Sequence, residues 1–106
     1  MAKLTAGATF HALISNNKTA TLVYQGPKEY IISKGSYIED YKNQDLNADV
    51  LKARKPYMGI LNTRGRLTED AAFESAFAAA CFVTGKRQTG YDVFIDAKGK
   101  SLRDYM

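Results

Sequence analysis

"TEDAAFESAFAAACFVTG", residues 68–85, can be read in two ways, and the choice decides the fold. Propensity alone favours one long helix from Thr68 to Thr84. The alternative ends a strand at Phe73, lets Ser75 cap a shorter helix, "AFAAACFVT", and places Gly85 at the left-handed C′ position. In that shorter helix Phe77, Cys81 and the alanines allow close packing on a sheet.

Upstream, "ATFHALI" (8–14) and "TATLVYQ" (19–25) alternate polar and apolar residues around the turn-forming "SNNK", which predicts a hairpin. Gly26-Pro27 punctuates, and "EYIISKGSYI" (29–38) follows as a third strand rich in β-branched and aromatic residues. From Asn43 the spacing turns helical: Leu46, Val50 and Leu51 share one face and Asn47, Asp49 and Lys52 the other. Asn43 or Asp45 suits the start of this helix. Arg54 and Lys55 suit the negative end of its dipole, and Pro56 stops it. "YMGILNTRGRL" (57–67) reads as a short hairpin turning at Asn62–Gly65. "GYDVFIDAKGKSL" (90–102) reads as a strand, a Lys98-Gly99 turn and a short closing element. The order β-β-β-α-β-β-α-β-β lacks regular βαβ alternation, so the expected class is α+β: a small antiparallel or mixed sheet with two helices.

A chain of 106 residues has room for one domain spanning 1–106, burying roughly two thirds of its unfolded surface. With 45% hydrophobic and 25% charged residues and two prolines, the composition is that of a folded protein. No run approaches the ~20 apolar residues of a membrane span. "MAKLTAGATF" lacks the apolar stretch of a signal peptide, so the expected compartment is the cytoplasm, with no membrane partner. Cys81, the single cysteine, excludes an internal disulfide and reads as a buried small hydrophobe.

The net charge of +4 favours anionic partners. Residues 37–50 are rich in acids, whereas 51–66 carry Lys52, Arg54, Lys55, Arg64 and Arg66 with no acid. The loop "TGKRQTG" (84–90) resembles a phosphate loop only superficially, because Gly85 ends a helix rather than beginning one and the dipole there has the wrong sign. Asp92, Asp96 and Lys98 loosely imitate a metal-dependent nuclease set, with both carboxylates on one face of the expected strand. Their spacing is too short, and a solvated strand edge is favoured. His11, the only histidine, reads as a strand residue with a satisfied side chain. Neither a metal nor a small-molecule cofactor is expected. Lys86, Arg87, Gln88 and Tyr91 form a different kind of group: a basic loop beside an aromatic can hold a phosphate backbone while the ring stacks on a base.

The same stretch resembles a family of domains of unknown function found at the C-terminus of GIY-YIG nucleases and restriction-modification-associated proteins. The residues that carry the resemblance are Phe73, Ser75 to Phe77, Ala78 to Ala80, Phe82 to Gly85, Lys86-Arg87, Thr89-Gly90-Tyr91, Phe94 and "DAKGKSL" (96–102), with Lys34, Gly35 and Ser36 upstream. It covers about residues 20–106. The chain departs from the pattern at Phe77, where the family has serine, at Thr89, where it has asparagine, and in smaller aromatics in place of two tryptophans. It contains neither GIY nor YIG, so it resembles the accessory domain standing alone, and the resemblance implies an association with DNA or with proteins that act on DNA.

Three functions follow as expectations. The first is a non-catalytic accessory module that binds DNA or a DNA-processing or defence protein through Lys86, Arg87, Gln88 and Tyr91, supported by Arg54, Lys55, Arg64 and Arg66. The second is a phage or mobile-element inhibitor of a nuclease or defence complex, acting by protein contact. The third is a magnesium-dependent nuclease using Asp92, Asp96 and Lys98.

Overall fold

The structure is a computed structural model that describes residues 6–15, 18–39, 48–60, 66–86 and 90–105. The alternating segments near the N-terminus form β1 (Ala8–Ser15) and β2 (Lys18–Gly26), paired antiparallel as the turn chemistry requires. β3 (Glu29–Ile32) pairs with β2, and β4 (Ala71–Phe73) pairs with β3, giving one antiparallel sheet in the order β1-β2-β3-β4. Strand alternation sends Phe10, Ala12, Ala20, Leu22, Tyr30, Ile32, Ala71 and Phe73 into the core. Their neighbours Thr9, His11 and Leu13 take the opposite face, Leu13 with 75% of its surface exposed.

The ambiguous stretch adopts the shorter-helix reading. Ala71–Phe73 gains a sheet partner in Tyr30–Ile32, and this pairing outweighs the local helix propensity. Ser75 sits in extended backbone and its hydroxyl accepts from the Ala78 amide at 3.1 Å, starting α2 (Ala76–Thr84). Gly85 ends the helix at φ 71° and its amide donates to the Cys81 carbonyl at 3.0 Å. Ala76, Ala79, Ala80, Cys81, Phe82 and Val83 are all buried, because α2 packs on β3 and β4 and also against α1 (Ala48–Arg54). A helix covered on more than one side needs small residues, which explains the alanines.

The expected helix from Asn43 is present as α1, although its predicted start, with Asn43, Asp45 and Leu46, lies outside the described residues. Its α-helical part ends at Arg54, ahead of Pro56 as proline sterics demand, and the chain continues as a 3-10 helix over Lys55–Ile60. This corrects the first arm of the expected hairpin at 57–67, whose turn at Asn62–Gly65 lies outside the described residues. Arg66 and Leu67 pair instead with the continuation of β3: Leu67 exchanges backbone hydrogen bonds with Gly35 and Ser36, both 2.9 Å, and Arg66 bridges Tyr37. The inward face of α1 is also corrected. It is Val50, Ala53 and Arg54, at i, i+3 and i+4, while Leu51 is 42% exposed.

Arg54, 1% exposed, joins three parts of the chain. Its Nε donates to the Phe82 carbonyl at 3.0 Å and its guanidinium also donates to the Glu39 carbonyl at 2.9 Å. With the Glu39 amide on the Val83 carbonyl at 2.8 Å and Gly85 on Cys81, successive carbonyls at the C-terminal end of α2 are satisfied. The guanidinium also places positive charge at the negative end of the helix dipole.

Both sheet edges are occupied. On β4 the Tyr57 hydroxyl donates to the Ala72 carbonyl at 2.6 Å and accepts from the Ala72 amide at 3.1 Å, so one side chain takes the place of a neighbouring strand. The Tyr57 ring rests on Phe73 and Phe82, at centroid separations of 5.3 and 5.6 Å. On β1, His11 and Ile95 exchange backbone hydrogen bonds of 2.7 and 2.8 Å. The predicted strand at 90–102 is otherwise absent. Its first residues form one helical turn, α3 (Gly90–Val93), which delivers Phe94 into the core, and Ile95 contributes isolated bridges to His11 and Ser101. The closing element is a 3-10 turn, Leu102–Tyr105.

Arg54→Ala orphans two carbonyls at about 1–3 kcal/mol each and is expected to lower the unfolding free energy by about 3 kcal/mol, read from urea denaturation. Arg54→Lys should recover little, because an ammonium lacks the planar fork that reaches both carbonyls. Tyr57→Phe keeps the ring packing but removes the edge partner, so faster exchange of the Ala72 amide and a loss of about 1–2 kcal/mol are expected.

Candidate functional site

The end of α2 at Thr84 and the residues of α3 wall an open cleft of about 590 Å³ beside the β1 edge, lined by His11, Thr19, Thr84, Asp92, Val93 and Asp96 among others. The Thr84 hydroxyl donates to the Ala80 carbonyl at 2.7 Å and accepts from the Lys86 amide at 3.3 Å, so the chain leaves the helix in a defined direction with Lys86 exposed. Arg87 and Gln88 lie outside the described residues, and Tyr91 falls in α3.

The carboxylates of the cleft are engaged separately. Asp92 accepts a bidentate pair from Arg103 at 2.8 and 2.9 Å. Asp96 accepts from the Lys98 and Lys100 amides, both at 2.9 Å, and from the Tyr105 hydroxyl. The two do not share a strand face as the sequence suggested, because Asp92 belongs to a helical turn. Among the described residues, no three His, Cys, Asp or Glu side chains gather into a set able to hold a metal ion. His11 Nδ1 lies 3.3 Å from Thr21 Oγ1, which gives the histidine a local partner. Cys81 is fully buried, as a packing residue.

Of the remaining predicted cations, the described ones, Arg54, Lys55 and Arg66, stand on different elements. Arg54 is removed from any outer surface by its burial, a correction that follows from its i+4 position relative to Val50. Lys55 is exposed at the junction of α1 and the 3-10 helix. Arg64 lies outside the described residues. Arg66 is exposed, donates from Nε to the Gly35 carbonyl at 3.1 Å and holds its guanidinium carbon 5.1 Å from the centre of the Tyr37 ring.

Sequence reasoning did not single out Tyr37 or Lys18. The Lys18 ammonium lies 5.8 Å from the centre of the same ring, so two cations lie within cation–π range of one tyrosine. Tyr37 is half-buried, and its amide donates to the Thr19 carbonyl at 3.1 Å. Two residues later Glu39 bonds the C-terminal end of α2. The segment 37–39 therefore spans from the start of β2 to the helix end that precedes Lys86, and Thr19 and Thr84 line one cleft. These contacts place Lys18 and Arg66 on one ring, and the segment that carries the ring runs on to the end of α2.

A second cleft, of about 370 Å³, runs between α1 and the start of α2. Tyr57, Phe73 and Phe77 give it an aromatic lining, and Asp49, Lys52 and Glu74 also face it.

The Tyr105 hydrogen bond is the largest influence holding Asp96 below its ordinary value of 3.8, assisted by the Lys100 and Lys98 amides and the Lys98 charge. The same bond raises Tyr105 above 10.0. Because the ionised carboxylate is favoured in the folded state, its stabilising contribution is complete above 3.8 and is lost as pH falls below 3.8 through the lower folded value. Tyr105→Phe is expected to raise the Asp96 pKa toward 3.8, measured by a carbon NMR titration of the carboxyl group.

No curated protein and no solved structure matches the chain. The family model described as a domain of unknown function (DUF4357) matches residues 10–106, and the chain belongs to that family.

Proposed function

We propose that this protein is a non-catalytic accessory module that binds nucleic acid in the setting of DNA processing. The observation that carries this reading is the pair of exposed cations, Lys18 and Arg66, held on one tyrosine ring, with Lys86 exposed just beyond the end of α2. Exposed cations held on one side of a protein lower the free energy of a polyanion there by displacing its condensed counterions. Arg87 and Gln88 follow Lys86 directly in the sequence and extend the same basic segment. The separate engagement of Asp92 and Asp96 favours binding over metal-dependent cleavage. The resemblance to domains appended to GIY-YIG nucleases and restriction-modification-associated proteins supports a DNA-processing setting.

Fluorescence polarisation with a labelled duplex should show binding at low salt that weakens as salt rises, with a logarithmic slope of about −0.9 for each phosphate neutralised. Lys86→Ala together with Arg87→Ala should make this slope shallower by about 2 and leave the thermal unfolding profile unchanged. Absence of binding at low salt refutes the proposal.

A further inference from the structure

Resting on the nucleic-acid reading, we infer that the cleft beside the β1 edge receives an unpaired base, so that the ligand is a single strand rather than a duplex. Strand register builds the wall that meets the base. Leu13 stands directly opposite Thr19, and His11 stands opposite Thr21 on one side and Ile95 on the other. Residues opposed across a sheet share a face, so Leu13, His11 and Ile95 turn their side chains away from the core together. All three line the cleft, Leu13 with 75% of its surface exposed and Ile95 with 43%. His11 adds a flat imidazole between them, oriented by its Nδ1 at 3.3 Å from Thr21 Oγ1.

Charge selects the rest of the ligand. The two carboxylates of the cleft are met from within the protein, Asp92 by the Arg103 guanidinium and Asp96 by the Lys98 and Lys100 amides and the Tyr105 hydroxyl. Lys18 directly precedes Thr19, and the Lys86 amide donates to the Thr84 hydroxyl at 3.3 Å; both threonines line the cleft and both lysines are exposed. Two aliphatic side chains and an imidazole with ammonium groups nearby match a ligand that has a flat apolar face attached to a polyanion, which is a nucleotide whose base is unstacked. In a duplex the faces of the bases are covered by their neighbours, and only base edges and the backbone reach a protein. An acidic peptide satisfies the lysines but leaves Leu13 and Ile95 in water. Contact through the face of a base is tolerant of sequence, because every base has one.

The test uses the full chain and fluorescence polarisation with three labelled probes of equal length: an oligothymidylate, a duplex, and a single strand that is abasic throughout its centre. A duplex has the higher charge density, so electrostatics alone favours it. The oligothymidylate is nevertheless expected to bind about tenfold more tightly than the duplex, through its bases. Leu13→Ser and His11→Ala should each weaken the oligothymidylate several-fold and leave the duplex unchanged, and the abasic strand should bind weakly and respond to neither. Leu13 is exposed, so Leu13→Ser is expected to keep the unfolding midpoint, which is checked in parallel. An oligothymidylate that binds no more tightly than the duplex, or that is insensitive to both substitutions, overturns the base site and leaves the nucleic-acid reading standing. Failure of every probe to bind at low salt overturns that reading and the inference with it. Polyglutamate that displaces the oligothymidylate at a lower concentration than unlabelled oligothymidylate does assigns the cleft to an acidic protein and overturns the inference.

Discussion

The Arg54 guanidinium is the constraint on which the remaining arrangement depends. A helix end buried in a protein must find donors for its last carbonyls, and α2 has little access to water to supply them. Arg54 and the Glu39 amide meet this demand from two other parts of the chain, so α1, α2 and the segment after β3 are held together by polar requirements as well as by packing. Its placement on the inward face of α1 means that helix rotation, α2 termination and the course of residues 37–39 are set jointly.

The candidate site inherits its geometry from that junction. Glu39 reaches α2 only if Tyr37 has passed beside Thr19, and Tyr37 in this position gathers Lys18 and Arg66. Lys86 emerges at the other end of the same connection, just beyond the Gly85 cap. Interior hydrogen bonding thus decides which cations become neighbours on the outside, although these residues are scattered through the sequence.

Features governed by local chemistry were legible in the sequence. The first hairpin followed from strand alternation and turn residues, and the limits of α2 from Ser75 and Gly85, once the short reading was preferred over raw propensity. The burial of Cys81 followed from its alanine-rich surroundings. Arg54 was misplaced although its spacing from Val50 carried the answer, because charge was weighed above helical position. Aromatic and β-branched residues at 91–95 suggested a strand, yet the region offers only Ile95 to the β1 edge and spends the preceding residues on a helical turn. The Lys18–Tyr37–Arg66 group had no signature of its own, since its members meet only after folding and each sits in an ordinary turn or strand motif.

The Ile95–His11 bridge also bears on how the chain acquires its shape. During synthesis β1 and β2, adjacent in sequence, can pair as soon as both have emerged, but the segment that closes the outer flank of β1 lies far downstream and follows later. Until then that flank is open to neighbouring nascent chains, and its closure is a long-range event of the kind that slows folding. Biogenesis therefore passes through a stage in which a young hairpin waits, exposed on one side, for a distant segment of its own chain.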